Sequence, residues 1–323
     1  MSEDTYTALP IFDGSNSADN GKPVKPLADP VIAFIFRSVE AGGNAMLGLV
    51  NAVLEDSGDR PISNIISIQP QKQQTGPGER KFRLDVLAET VDNEIVLLEV
   101  QIDKQRFFNT RSMVYAMDSL QSRIGKGDTW DDIALNMPRV ISINMLNFNL
   151  RKNGVNFHQI IEPVYREEPR EVAECHHITH NIELPKFRRL VPDWGNPLHL
   201  WLTAICRSHD QNKTLREVVD MEPALQAYEN TDQSFAQFIN GYGLANADEE
   251  TRRQHNSWML EMGFRMMELK AERVEGEARG EARGIKIVAG KLLQMNLPLE
   301  QIIAATGLTR EEIEALPVND GIL

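Results

Sequence analysis

The sequence predicts an α+β or α/β core followed by an all-helical C-terminal region. Three observations carry this. The first part of the chain orders as helix, three strand-like runs, helix and strand. From Pro197 onward the apolar spacing becomes helical. Residues 248–284 then turn dense in Glu and Arg, with few β-branched residues and an internal repeat, "EGEARGEARG" at 275–284.

Residues 1–26 are rich in Ser, Asp, Asn, Gly and Pro and read as a flexible leader. Asp29 and Pro30 then suit an N-cap and first helical position. Apolar spacing continues through Leu47, Val50, Val53 and Leu54, so helices are expected here, broken at Gly42-Gly43. "ISNIISIQP" at 62–70 is a strand, and "QKQQTGPGER" at 71–80 a polar loop with glycine and proline breakers. Two strands follow at about 81–90 and 94–102, joined at Asp92-Asn93. Residues 105–127 have helical spacing and end on glycine. "PRVISINMLNFNL" at 138–150 reads as a buried strand, with further strands near 156–167 and 176–184. The expected divisions are the leader, a core over 27–190, a helical region with a Glu/Arg/Gly-rich linker over 191–284, and a small hairpin over 285–323.

Composition limits the function. At 41% hydrophobic residues the chain can build a sizeable core. Its longest apolar runs, such as "VIAFIF", are far short of a membrane span, so no membrane association is expected. The acidic, polar N-terminus has no signal-peptide pattern, and two cysteines make no disulfide framework. A cytoplasmic location is the simplest reading. The net charge of −13 argues against broad electrostatic attraction to nucleic acid. Residues 60–125 nonetheless carry 9 Lys/Arg against 8 Asp/Glu, which leaves room for a local site.

Within the two paired strands, "FRLDVLAETVDNEIVLLEVQID", sit two carboxylates, Asp85 and Glu99. Residues two apart share a strand face, so Glu99 and Gln101 point the same way. Whether Asp85 joins them depends on the turn. A three- or five-residue loop centred on Asp92 gives paired residue numbers summing to 184 and sets Asp85 opposite Glu99. A two-residue turn gives 185 and separates them. If opposed, the pair would repel unless a cation lay between them, and a hard divalent ion such as Mg²⁺ takes such oxygen ligands. The plain alternative is a wet sheet face with each carboxylate near a cation such as Arg83.

The spacing of Asp85 and Glu99-Val100-Gln101 resembles the D-x(n)-(D/E)-x-K core of the PD-(D/E)XK nucleases. The chain resembles in particular the PD-(D/E)XK nuclease family transposases, also called recombination-promoting nucleases. "ADPVIAFIF" is similar to that family's opening helix, with Asp29 in the acidic position. "LDVLAE" and "IVLLEVQ" are similar to its paired strands, and "TRSMVYAMDSL" carries its Arg and Tyr as Arg111 and Tyr115. "PRVISINMLNF", "IELPKF" and the Glu/Arg-rich tail follow in the family's order, so the resemblance covers residues 26–316. It departs at Leu84, where the superfamily has proline, at Ala33 in the opening helix, where lysine is often found, and at Gln101, where lysine is usual.

The resemblance implies a restriction-endonuclease-like core: a central mixed sheet flanked by helices. It implies a Mg²⁺-dependent (or Mn²⁺-dependent) endodeoxyribonuclease that hydrolyses phosphodiester bonds in DNA, associated with recombination or mobile elements. Asp85 and Glu99 would bind metal, with Asp29 as an outer carboxylate. Gln101 would complete the catalytic set, and Arg111 and Tyr115 would contact DNA or brace the site. The competing reading is a decayed nuclease fold that binds DNA or protein.

Other motifs weigh less. "CHHITH" at 175–180 lacks a second Cys/His pair, so a polar strand end is preferred to zinc. "LEQIIAATGLTREEIEAL" has a helix-turn-helix outline, with Thr309 and Glu312 forming a capping box, but its second helix is acidic. Trp194, Trp201 and Trp258 read as packing residues. Gly276, Gly280 and Gly284 fall on one helical stripe, read as a helical linker, with self-association as the alternative; a homodimer is left open.

Overall fold

The computed structural model describes residues 22–70, 73–75, 81–83, 85–104, 107–151, 153–168 and 176–316. Most of the expected leader, most of the loop at 71–80, Leu84 and Cys175 of the zinc motif therefore lie outside the described residues. The chain divides into two compact units, Met1–Trp258 and Met259–Leu323. Among the described residues no helix is long and apolar enough to cross a membrane.

The first unit opens with α1 (Asp29–Ile35) and α2 (Val39–Ser57). Ala28, not Asp29, is the N-cap of α1, and no side chain caps it; Asp29 is the first helical residue, followed by proline. The break between the helices is also not at Gly42-Gly43. Ser38 starts α2 by accepting the Ala41 N–H at 3.1 Å. The glycines lie inside α2 because a Cβ on Gly42 would come within 2.2 Å of the Ile35 carbonyl oxygen. They permit a close corner between helices rather than ending one.

Next come β1 (Ile65–Pro70), β2 (Gln73–Thr75), β3 (Lys81–Arg83), β4 (Val86–Thr90), β5 (Glu94–Gln101), β6 (Arg139–Leu146), β7 (His158–Ile161) and β8 (His177–Glu183). Six form one mixed sheet in the order β1-β4-β5-β6-β8-β7, while β2 and β3 form a separate ribbon. β5, β6 and β8 run parallel; the other neighbours are antiparallel. The single strand expected at 81–90 is thus split at Asp85. The reason is chemical: the Asp85 carboxylate, rather than a backbone carbonyl, accepts the Val100 N–H at 2.7 Å.

The two faces of the sheet differ. Val96, Leu98, Val100, Ile141, Ile143, Met145 and Ile182 belong to the main core, with α1, α2, α5 (Leu184–Phe187), α6 (Pro197–Gln211), α7 (Leu215–Met221), α8 (Pro223–Thr231) and α9 (Gln233–Ala247). Trp201 sits fully buried in that core, its ring centroid 5.1 Å from Phe235 and 5.0 Å from Phe238. On the opposite face, Leu87, Ile95, Leu97 and Val140 pack under Tyr115 and Ala116 of α3 (Phe108–Gln121). That face turns polar toward the C-terminal ends of the parallel strands, through Glu99, Gln101, Ser142, Asn144, Thr179, Asn181 and Glu183. A helix not expected from the sequence, α4 (Trp130–Asn136), begins at a capping box of Thr129 and Asp132. The signal was present in "TWDD".

The second unit holds most of α10 (Glu249–Gln294), from Met259 onward, with α11 (Leu299–Thr306) and α12 (Arg310–Glu314). Ala289, Ile302 and Ile313 form its small core, and the expected Thr309–Glu312 capping box is present.

Candidate active site

The turn between β4 and β5 has three residues, 91–93. Its last, Asn93, is left-handed at φ 57°, a conformation asparagine tolerates better than most residues. This is the three-residue hairpin that ends in a left-handed bulge position. Pairs such as Val86↔Leu98 and Leu87↔Leu97 each sum to 184, so the register continues to place Asp85 across from Glu99. Of the two alternatives open in the sequence, the chain adopts the one that opposes the carboxylates.

Both are buried, each 7% exposed. Asp85 is fixed by the Val100 N–H, as noted above. Glu99 meets α3: Arg111 Nη2 donates to Glu99 Oε1 at 2.8 Å and to Gln101 Oε1 at 2.6 Å. One guanidinium therefore joins the two residues that share the β5 face. Arg111 also lies over the Phe108 ring, 5.4 Å from its centroid. Burial pushes the Glu99 carboxyl up to about 7; Arg111 opposes the shift, the Asp29 charge adds to it, and the Asp85 backbone N–H opposes it. Glu99 Oε2 is buried with no hydrogen-bond partner.

The structure thus brings Asp85, Glu99, Gln101 and Arg111 together, with Asp29 close enough to act on Glu99 electrostatically. Tyr115 is different. It is 4% exposed and packs among Leu87, Ile95, Leu97 and Val140, one turn beyond Arg111. The side chain of Arg83 lies outside the described residues. His177 of the "CHHITH" motif contacts Ser142 at 3.0 Å and Thr179 at 3.1 Å.

Three residues not singled out in the sequence support the site. Asn144 is the register partner of Glu99 on β6, and Asn181 that of Asn144 on β8. Asn144 Nδ2 donates to Asn181 Oδ1 at 2.9 Å and to Ser112 Oγ at 3.2 Å. Ser112 is next to Arg111, so this buried chain ties α3 to the sheet where Arg111 must reach Glu99. Its sequence signal was the polar alternation Ser142, Asn144 inside an apolar strand.

The donor set fits a hard cation. Glu99 Oε2 is a carboxyl oxygen buried without a hydrogen-bond partner, and the strand register sets Asp85 across from Glu99. Among the described residues no group of three or more His, Cys, Asp or Glu is placed to hold one ion. Mg²⁺ does not require one, since it is commonly held by one or two carboxylates, with water and substrate phosphate filling the octahedron.

No curated protein and no solved structure matches the chain. The pattern of the PD-(D/E)XK nuclease family transposase matches residues 29–262, from the first residue of α1 past the end of the first unit. With the paired carboxylates at the ends of adjoining strands and a family match over most of its length, the chain belongs to the PD-(D/E)XK nuclease family transposases.

Proposed function

We propose that this protein is a divalent-metal-dependent endodeoxyribonuclease that cuts phosphodiester bonds in DNA. The observation that carries the reading is the buried opposition of Asp85 and Glu99, with one Glu99 oxygen unpartnered. Asp85 and Glu99 would hold Mg²⁺ or Mn²⁺, which would supply an activated water and charge stabilisation at the phosphate.

The protein's own residues do the rest. The Val100 N–H and Arg111 fix the two carboxylates before substrate arrives. Gln101 accepts from Arg111 through its carbonyl, which leaves its amide N–H groups to donate to a phosphate oxygen or the attacking water. A glutamine carries no charge, so the cation usual at this corner of the family motif is supplied here by Arg111 from α3. The guanidinium does not give up a proton at neutral pH, so Arg111 acts by charge and position, not as an acid. Asp29 adds negative potential that favours cation binding, and Tyr115 braces α3.

The test is cleavage of supercoiled plasmid DNA with Mg²⁺ or Mn²⁺, beside Asp85→Ala and Glu99→Ala. We expect nicking by the parent and a loss of about a hundredfold or more in each variant. Equal nicking by all three would remove the site from consideration. A folded parent that neither cuts nor binds either metal would identify the fold as decayed.

A further inference from the structure

We infer that α10 is a dimerisation helix: two copies of the chain associate through it as a parallel coiled coil. The inference rests on the second unit alone and is independent of the nuclease reading.

The observation is a heptad seam. Leu260, Phe264, Met267, Ala271, Val274, Ala278, Glu281, Ile285 and Val288 follow one another at alternating steps of four and three. Eight of the nine are apolar, and the run covers four heptads, the length at which such spacing specifies a coiled coil. The whole run lies within α10. Its large members face solvent in the single chain: Leu260 is 44% exposed, Phe264 61%, Met267 49%, Val274 58% and Val288 50%. A helix that keeps Phe, Met and Val in line and in water has an apolar stripe without a cover.

The charges beside the seam select a second copy, and its direction. With Phe264 and Ala271 at a positions and Met267 and Val274 at d, the e positions are Glu261, Glu268, Glu275 and Ala282. The g positions are Gly263, Lys270, Glu277 and Gly284, so that in a parallel pair Glu277 meets only Ala282. An antiparallel pair would set e against e, glutamate against glutamate. A parallel pair sets g against the partner's e five residues on, so Lys270 meets the partner's Glu275, twice by symmetry. The helix is supported from its flanks by the ion pairs Arg265–Glu261 at 3.1 Å and Arg273–Glu277 at 2.8 Å. The glycine stripe is not the interface. Gly276, Gly280 and Gly284 fall at f, c and g, off the seam, and a Cβ at any of them would meet nothing within 4 Å. Two alanines and Glu281 on the seam make the association weak and dependent on concentration.

The test uses the full chain in analytical ultracentrifugation at about 50 µM, where mass action favours a weak dimer. The parent should sediment as a dimer, Met267→Glu and Val274→Glu as monomers, and Glu272→Ala, off the seam, as the parent does. Because these positions are exposed, circular dichroism should show the first unit still folded. A Phe264→Cys variant treated with diamide should form an interchain disulfide that the parent, with its own two cysteines, does not. A monomeric parent, or a dimer that survives both glutamate substitutions, would overturn the proposal. A Phe264→Cys dimer that fails to cross-link would overturn the parallel arrangement.

Discussion

Glu99 is 7% exposed and keeps one carboxylate oxygen without a partner, an arrangement that disfavours its own charge. Its folded-state pKa is raised, chiefly by burial, from the ordinary 4.5 to about 7. Ionised Glu99 therefore costs stability above that pH, and the cost fades as pH falls through 7 and is gone below 4.5, where Glu99 is neutral in both states. Glu99→Gln imitates the neutral form with nearly the same shape. In metal-free buffer at pH 8 it should stabilise the protein by on the order of 1–3 kcal/mol. The gain in Tm should shrink at pH 5, and cleavage should be lost. A fall in Tm at pH 8 would show that the ion pair with Arg111 outweighs the burial. Glu99 was legible in the sequence as half of a spaced carboxylate pair. Its opposition to Asp85 was not, because two turn lengths fitted the same residues and the choice rests on the left-handed Asn93. The Ser112–Asn144–Asn181 chain was less legible still, since it exists only once two strands and a helix are in register.

At the scale of elements, the sequence located most strands and helices, and two of the boundaries it misplaced fall where a side chain or a missing one replaces a regular feature. The Asp85 carboxylate takes a ladder hydrogen bond and splits one strand into β3 and β4. Gly42 looks like a helix breaker in sequence, yet it lies within α2 because α1 ends against it. Gly42→Ala should therefore act as overpacking against backbone, which cannot move aside as a flexible side chain can. The expected loss is about 2 kcal/mol or more. Gly276→Ala, on an open part of α10, should instead favour the helix by about 1 kcal/mol. Urea unfolding of Gly42→Ala and the helical circular dichroism of Gly276→Ala read these directly. Equal, mild effects would mean that the α1–α2 corner relaxes freely.

At the scale of the whole molecule, the pH response is set by histidines buried without charge. His180 is fully buried, its Nδ1 3.1 Å from His158 and its Nε2 3.7 Å from Asp59. His209 is 4% exposed, and neither of its ring nitrogens has a hydrogen-bond partner. His255 accepts the Lys25 backbone N–H through Nε2 at 2.9 Å. Burial lowers His180 to about 4, His209 to about 3 and His255 to about 4, all below the ordinary 6.5. The sign follows from linkage. The unfolded chain takes up these protons near 6.5 while the folded chain refuses them, so their contribution is whole above 6.5 and lost as pH falls toward 4 and 3. Each such site removes up to about 1.4 kcal/mol per pH unit in that window. Glu99 works the other way, but one carboxyl opposes these three imidazoles and His177, which burial lowers as well. The protein should therefore unfold several degrees lower at pH 5 than at pH 7.5. His209→Gln, which cannot titrate, should flatten the slope by about one proton when ΔG from urea unfolding is plotted against pH. A Tm that stays level from pH 7.5 to 5 would mean that water or a rearrangement reaches these rings and lets them charge in place.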